Sequence, residues 1–239
     1  MRRYVLCLAR SRLMTTAPDP YELPDVSDVT VSVLGGTGEQ GRGLAQRLAR
    51  AGQRVFIGSR SAERAAEIAE GIGAGVQGVT NEQAALEGDI VIVAVPWDGH
   101  RELLVSLAGP LSGKIVVDCV NPLGFDKQGA FALDVPEGSA AQQASMVLPE
   151  SQVVAAFHHI SAVLLLDESV ESIDTDVLVL GDDRAATDAV QALASRIPGI
   201  RGVYGGRLRN AGQVEAWTAN LISMNRRYKA HAGVRITDV

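Results

Sequence analysis

Apolar residues in this chain fall into short, dense runs separated by stretches with helical spacing. The runs Thr30 to Leu34, Arg54 to Gly58, Gly75 to Val79, Ile90 to Val95, Lys114 to Asp118, Val153 to Phe157 and Asp176 to Leu180 predict strands, with a further short strand near Arg201 to Tyr204. Ile90 to Val95 and Ile115 to Val117 are apolar at every position instead of alternating, which marks strands covered on both faces and hence a parallel sheet between two layers of helices. Leu44 and Leu48, four residues apart, predict a helix after the first strand, with Gly52 as its stop. Ser61 is placed to cap a second helix running from Ala62, and Ala185 to Arg196 reads as another, with Asp182 or Asp183 near its N-terminus, where negative charge is favoured. Gly205-Gly206 then breaks the chain before a long helical pattern from Arg209 to Tyr228. No repeat of solenoid period and no low-complexity tract interrupts this order.

The first strand runs directly into Gly35-Gly36-Thr37-Gly38-Glu39-Gln40-Gly41. Gly36, Gly38 and Gly41 make G-x-G-x-x-G between a strand and a helix, the context that gives the pattern meaning. The first glycine permits a tight turn, the second lets a pyrophosphate approach, and the third lets helix and strand pack closely. Backbone N–H groups from Gly36 to Gln40 would face the phosphates. About twenty residues further on, a dinucleotide fold that takes NAD carries a carboxylate for the ribose 2′-OH. Here the second strand ends in Ser59-Arg60, and no acid occurs until Glu63. Arg60 and Arg64 are suited to clamp a 2′-phosphate through planar, charge-assisted hydrogen bonds, with the hydroxyls of Ser59 and Thr37 beside them. The competing reading of Arg60 and Arg64 is a solvated helix start. The fold class expected is α/β, a Rossmann-type doubly wound parallel sheet with a short C-terminal helical addition, binding NADP(H).

Composition narrows the function classes. With 239 residues, 46% hydrophobic and 21% charged, the chain is long enough for one α/β domain with a small addition. A formal net charge of −6 argues against nucleic acid or a membrane surface as partner. Two cysteines, Cys7 and Cys119, form neither a disulfide framework nor a C-x-x-C pair, so cytoplasm is the expected location. Residues 1–28 read as a flexible N-terminal extension, with Met14 as an alternative initiator and a proline-rich lead-in from Pro18 to Pro24. The apolar stretch Tyr4 to Ala9 is too short to span a membrane. The expected division is 1–28 extension, 29–205 NADP-binding domain and 206–239 C-terminal helical segment. That last segment carries six Lys or Arg against two acids, which fits an anionic second ligand or a solvated basic face.

Ligands in such sheets lie outside the carboxyl ends of the strands, which singles out Pro96-Trp97 and Phe157-His158-His159. Trp97 reads equally as a large hydrophobe closing a loop, and the histidines as core residues bonded to backbone. No acid or cysteine at ligand spacing accompanies them, so no metal is expected. Asp167-Glu168 and Asp182-Asp183 read as solvated loop and helix-start residues.

Taken together, LGGTGEQGRGLAQRLA, IGSRSAERA, DIVIVAVPWDGH, KIVVD, VVAAFHHISA, GDD and LRNAGQVEAWTANLI resemble the F420:NADP oxidoreductases, over nearly all of the chain from Thr30 to about Tyr228. The resemblance implies reversible hydride transfer between C4 of the nicotinamide and C5 of the deazaflavin coenzyme F420, held face to face. It further implies a homodimer with the deazaflavin in an apolar cleft completed by the C-terminal part. By matching motif, Thr37, Ser59, Arg60 and Arg64 correspond to 2′-phosphate contacts, Gly36 to Gln40 to the pyrophosphate turn, and Pro96, Trp97 and His158 to cleft positions. His158 is the candidate for polarising or positioning the ring system. The chain departs from the family pattern at its front, at His159-Ile160-Ser161 and at Asn121-Pro122-Leu123. An imine or pyrroline-carboxylate reductase on the same scaffold, or a non-enzymatic NADP sensor, is the alternative.

Overall fold

The computed structural model describes residues 22–239. The proposed initiator Met14 and most of the expected extension lie outside them. Residues 22–28 run along the domain: Val26 is buried, and the Gln53 amide donates to the carbonyls of Val26 and Val29.

The chain begins its regular structure with β1 (Thr30–Leu34), α1 (Glu39–Arg50), β2 (Arg54–Ser59), α2 (Ala62–Ile72), β3 (Gln77–Thr80), α3 (Asn81–Glu87) and β4 (Ile90–Val93). There follow α4 (His100–Ser106), α5 (Ala108–Leu111), β5 (Ile115–Asp118), a hairpin of β6 (Leu123–Asp126) and β7 (Gly129–Ala132), then α6 (Ala140–Val147) and β8 (Gln152–Ala155). The last part holds α7 (Ala162–Leu166), β9 (Thr175–Gly181), α8 (Arg184–Ala194), β10 (Ile200–Gly206), a 3-10 turn at Leu208–Asn210 and α9 (Ala211–Tyr228). The main sheet has the order β10-β9-β8-β5-β4-β1-β2-β3.

Every neighbouring pair in the sheet is parallel except β8 with β9, which is antiparallel. Alternation inside the apolar runs sorts their side chains onto two faces. Ile90 and Ile92 of β4 join Leu44, Leu48 and Val190 on one side, while Val91 and Val93 join Leu104, Ala144 and Leu148 on the other. Full burial of such side chains contributes about 1.5–3 kcal/mol each, so both helical layers are needed to hold the sheet. The chain order reverses direction between β1 and β4, which opens a crevice at their carboxyl ends.

Two features differ from the sequence expectation. The antiparallel entry of β9 departs from a wholly parallel sheet. It follows from a connection through only the short α7 and a loop, with no full crossover helix to bring the chain back. The hairpin β6–β7 lies between β5 and α6, where no strand was expected, and packs on α9.

Candidate functional site

The glycine turn sits at the crevice. Gly35 has φ +69, a conformation open to glycine at little cost. Its N–H donates to Asn81 Oδ1 at 3.3 Å, and Gly36 N–H donates to the Gly58 carbonyl at 3.1 Å, so the turn is tied to both β2 and α3. A Cβ on Gly36 would lie 2.7 Å from Ile57 Cβ, and one on Gly41 would lie 2.8 Å from Gly36 Cα. Gly38, by contrast, meets nothing nearer than 3.6 Å and is exposed. It is the N-cap of α1, with no side chain capping the helix. Uncapped N–H groups behind an open glycine are what an anionic group needs at a helix start.

A cavity of about 430 Å³ runs from this turn to the end of β2. It brings together Thr37, Gly38, Ser59, Arg60, Arg64 and Pro96, with Asn81 and Asp98 added by the fold. Ser61 caps α2 by accepting from Arg64 N–H at 3.2 Å, which fixes the helix start between Arg60 and Arg64, and both arginines are exposed. The solvated helix start is thus also a wall of the cavity, lined by Arg60 and Arg64.

A second cavity, about 480 Å³, continues beyond it and shares Gly38, Ala94, Val95 and Pro96 with the first. Glu39, Gln40, Trp97, His158 and His159 line it, along with Asn121, Thr218, Leu221, Ile222 and Asn225. Its far wall is therefore the C-terminal helix α9. Beneath Trp97, whose carbonyl accepts from His100 N–H, the His100 ring packs with its centroid 5.5 Å from that of the indole. His100 is fully buried between Asp118 Oδ2 at 2.6 Å and Gln143 Oε1 at 3.1 Å. Burial disfavours its charge, but the Asp118 carboxylate outweighs that and raises its pKa above the ordinary histidine value.

β8 ends where Phe157, a non-glycine residue, takes φ +63, and its carbonyl accepts from Gln40 Nε2 at 3.1 Å. Strain of this kind persists where the surroundings over-determine it. His158 and His159 follow. The His158 carbonyl accepts from Asn121 Nδ2 at 2.9 Å and Thr218 Oγ1 at 3.2 Å, joining the turn to α9. Its imidazole has no exposed surface and neither ring nitrogen has a partner; Nε2 lies 3.9 Å from Glu215 Oε1. Desolvation depresses the pKa of His158 to about 4, and that of His159 likewise to about 4. At neutral pH both are uncharged. Glu215, buried on α9, accepts from the N–H groups of Ala140 and Ala141 at the start of α6, and burial pushes its pKa up to about 7.

The sequence assigned no role to Asn81, Asn121, Thr218, Gln143 or Glu215. The hydrogen bonds cited for them each span at least 37 residues of chain, so no local pattern announces them, even for Glu215 and Thr218 inside LRNAGQVEAWTANLI. Among the described residues no group of three or more His, Cys, Asp or Glu is placed to hold a metal ion, and no helix is long and apolar enough to cross a membrane.

Known proteins resemble the chain over most of its length. Residues 30–122 match the family model described as NADP oxidoreductase coenzyme F420-dependent. The F420-dependent NADP reductase of Methanothermobacter marburgensis is 40% identical over 221 residues, covering 87% of this chain and 98% of its own. That of Methanocaldococcus jannaschii is 38% identical over the same shares. A crystal structure from Arthrobacter sp. FB24, provisionally named an F420-dependent NADP reductase, superposes with TM-score 0.76 at 25% identity, covering 87% of this chain and 99% of that one.

Proposed function

Since the chain belongs to the F420-dependent NADP reductase family, we propose that its two joined cavities hold NADP(H) and the deazaflavin coenzyme F420 side by side. It is an oxidoreductase that transfers a hydride between them, and family membership favours this over an imine or pyrroline-carboxylate reductase or an NADP sensor. The observation that carries the reading is the shared rim at Gly38 and Ala94 to Pro96, where the smaller cavity opens into the larger.

In this reading Gly36, Thr37, Gly38, Glu39 and Gln40 form the pyrophosphate turn, and Thr37, Ser59, Arg60 and Arg64 bind the 2′-phosphate. The open Gly38 and the uncapped α1 support the first part, and the presence of Arg60 and Arg64 in the lining of one cavity supports the second. Pro96 and Trp97 flank the junction, with Trp97 seated on the buried His100–Asp118 pair. Residues 29–205 supply the NADP side, and 206–239 complete the deazaflavin side. The two coenzymes supply the carbon-centred hydride chemistry. What the chain adds is orientation: removing translational and rotational freedom from two reactants contributes about 7–11 kcal/mol. His158 fits a positioning role, because its carbonyl joins Asn121 to Thr218 while its imidazole is withdrawn and neutral.

The reading extends to a homodimer. Phe125, Phe131 and Leu133 on or beside the hairpin, and Trp217, Met224 and Tyr228 on α9, are exposed apolar side chains on elements that pack together. Cytoplasm is the proposed location, in keeping with a buried Cys119 whose thiol donates to the Val93 carbonyl.

The deciding experiment mixes purified protein with NADPH and oxidised F420 and follows the deazaflavin's visible absorbance, with FMN, FAD and NADH as controls. Bleaching that needs both NADPH and F420 is expected. NADPH binding with no bleaching would overturn the reading.

A further inference from the structure

Beyond α9 the chain turns back on itself. Lys229 ends the helix in a left-handed conformation, φ +51, and the following residues form a strap along the rim of the larger cavity. Ala232 lines that cavity, and its N–H donates to Asn225 Oδ1, another lining residue, at 2.6 Å. His231 Nδ1 lies 3.3 Å from the hydroxyl of Ser161, also on the cavity wall.

The strap is then fastened to the start of β9. Val234 exchanges hydrogen bonds with this strand, its carbonyl accepting from Asp176 N–H at 2.7 Å and its N–H donating to Thr175 Oγ1 at 3.0 Å. The Asp176 carboxylate, fully buried, accepts from Ile236 N–H at 2.6 Å, from Arg235 Nη1 at 2.6 Å, and from Arg201 through both Nε and Nη2 at 2.8 Å. Arg235 also pairs with Asp174, and Arg201 donates to the carbonyls of Ile236 and Val239. Because β9 runs antiparallel to β8, its first residues lie past the carboxyl end of β8, on the cavity side of the sheet. A parallel β9 would have put Asp176 at the opposite end.

We infer that residues 230–236 are a fixed wall of the deazaflavin side of the cleft, and that Asp176 is the positioning residue that fastens this wall by gathering Arg201, Arg235 and the Ile236 N–H on one buried carboxylate. The inference rests on the larger cavity being the F420 side. The Arg201 hydrogen bonds hold the Asp176 carboxyl far below the usual carboxylate range, so the fastening does not loosen at any working pH.

Four single variants test it: Asp176→Asn, Arg235→Ala, Arg235→Lys and Gly233→Val. A Cβ at Gly233 would lie 2.6 Å from Thr175 Oγ1, so valine there lifts the strap without substituting any residue that lines the cavity. Binding of oxidised F420 is titrated by its fluorescence without NADPH, NADPH binding is titrated separately, and amide exchange at Val234 and Ile236 reports whether the strap is attached. Gly233→Val and Arg235→Ala should speed that exchange and weaken F420 roughly fivefold, the loss expected for one methyl-sized apolar contact. NADPH affinity should stay within about twofold of wild type by the same scale, Asp176→Asn should exceed both losses, and Arg235→Lys should restore most of the affinity. Faster exchange with unchanged F420 affinity overturns the inference, as does equal weakening of both coenzymes. A wild type that binds NADPH but no F420 overturns the proposed function itself, and the wild-type titration alone distinguishes that case.

Discussion

Arg60 stands at the end of β2, one residue before the cap of α2, exposed and facing the smaller cavity. Replacing it by glutamate puts a carboxylate where NAD enzymes carry one for the 2′-OH and repels the 2′-phosphate. A charge-assisted hydrogen bond contributes about 1.5–3 kcal/mol, so Arg60→Glu should weaken NADPH by roughly 10- to 100-fold and leave NADH nearly unchanged. Fluorescence titration with each cofactor reads this, and equal losses would sink the assignment. The residues of this half of the site were legible because the strand, the turn and the second strand are consecutive in the chain. The division of labour among the glycines was not. Gly35, outside the G-x-G-x-x-G pattern, takes the left-handed conformation, while Gly36 and Gly41 are limited by close packing and Gly38 keeps open space. The left-handed backbone of Phe157 was not legible for another reason: its carbonyl is held by Gln40, 117 residues away.

At the level of elements, long apolar runs were readable and short helices were not. β1 matches its expected bounds, and β2 and β9 extend theirs by only one residue or so at either end. β8 stops at Ala155, two residues early, because Phe157 leaves the extended region. The helices α3, α4, α5 and α7 are each seven residues or fewer, too short for a 3.6-residue period to establish itself, and α3 is marked instead by a capping box at Thr80 and Gln83. The role of α9 is split between its sides. Val214, Glu215 and Leu221 face inward, whereas Trp217, Met224 and Tyr228, at i, i+7 and i+11, form an exposed stripe beside the hairpin. In the proposed homodimer a second copy would cover this stripe and the hairpin together. Light scattering should therefore give a particle of about twice 25.2 kDa, and Trp217→Glu should shift it towards the monomer. A wild type that stays monomeric at every concentration excludes the homodimer.

Over the whole molecule, the buried titratable groups set opposing slopes of stability against pH. His158 and His159, with folded pKa values of about 4 against an ordinary 6.5, bind fewer protons folded than unfolded between those limits. Each therefore removes stability as pH falls from 6.5 towards 4. Glu215, at about 7 against 4.5, holds a proton in the folded state that the unfolded chain has lost, so it removes stability as pH rises from 4.5 to 7. Between 4.5 and 6.5 the two histidines outweigh the one glutamate by one proton, and stability should rise with pH by on the order of 1 kcal/mol per pH unit. Above 6.5 the sign reverses: Glu215 still opposes, and His100, whose folded pKa is raised by Asp118, loses its stabilising charge as pH climbs through that value. Below the ordinary aspartate range Asp176, ionised against Arg201 and Arg235, adds a further acid loss. The expected profile is a maximum near pH 6.5, with a few kcal/mol lost by pH 4.5. Urea unfolding at pH 4.5, 5.5, 6.5 and 8 measures it directly. Replacing His159 with glutamine should cancel most of the slope between 4.5 and 6.5, because one histidine then balances Glu215. A wild-type profile flat across that interval would mean that the histidines behind the cleft are charged, and the neutral, positioning role given to His158 would fall with it.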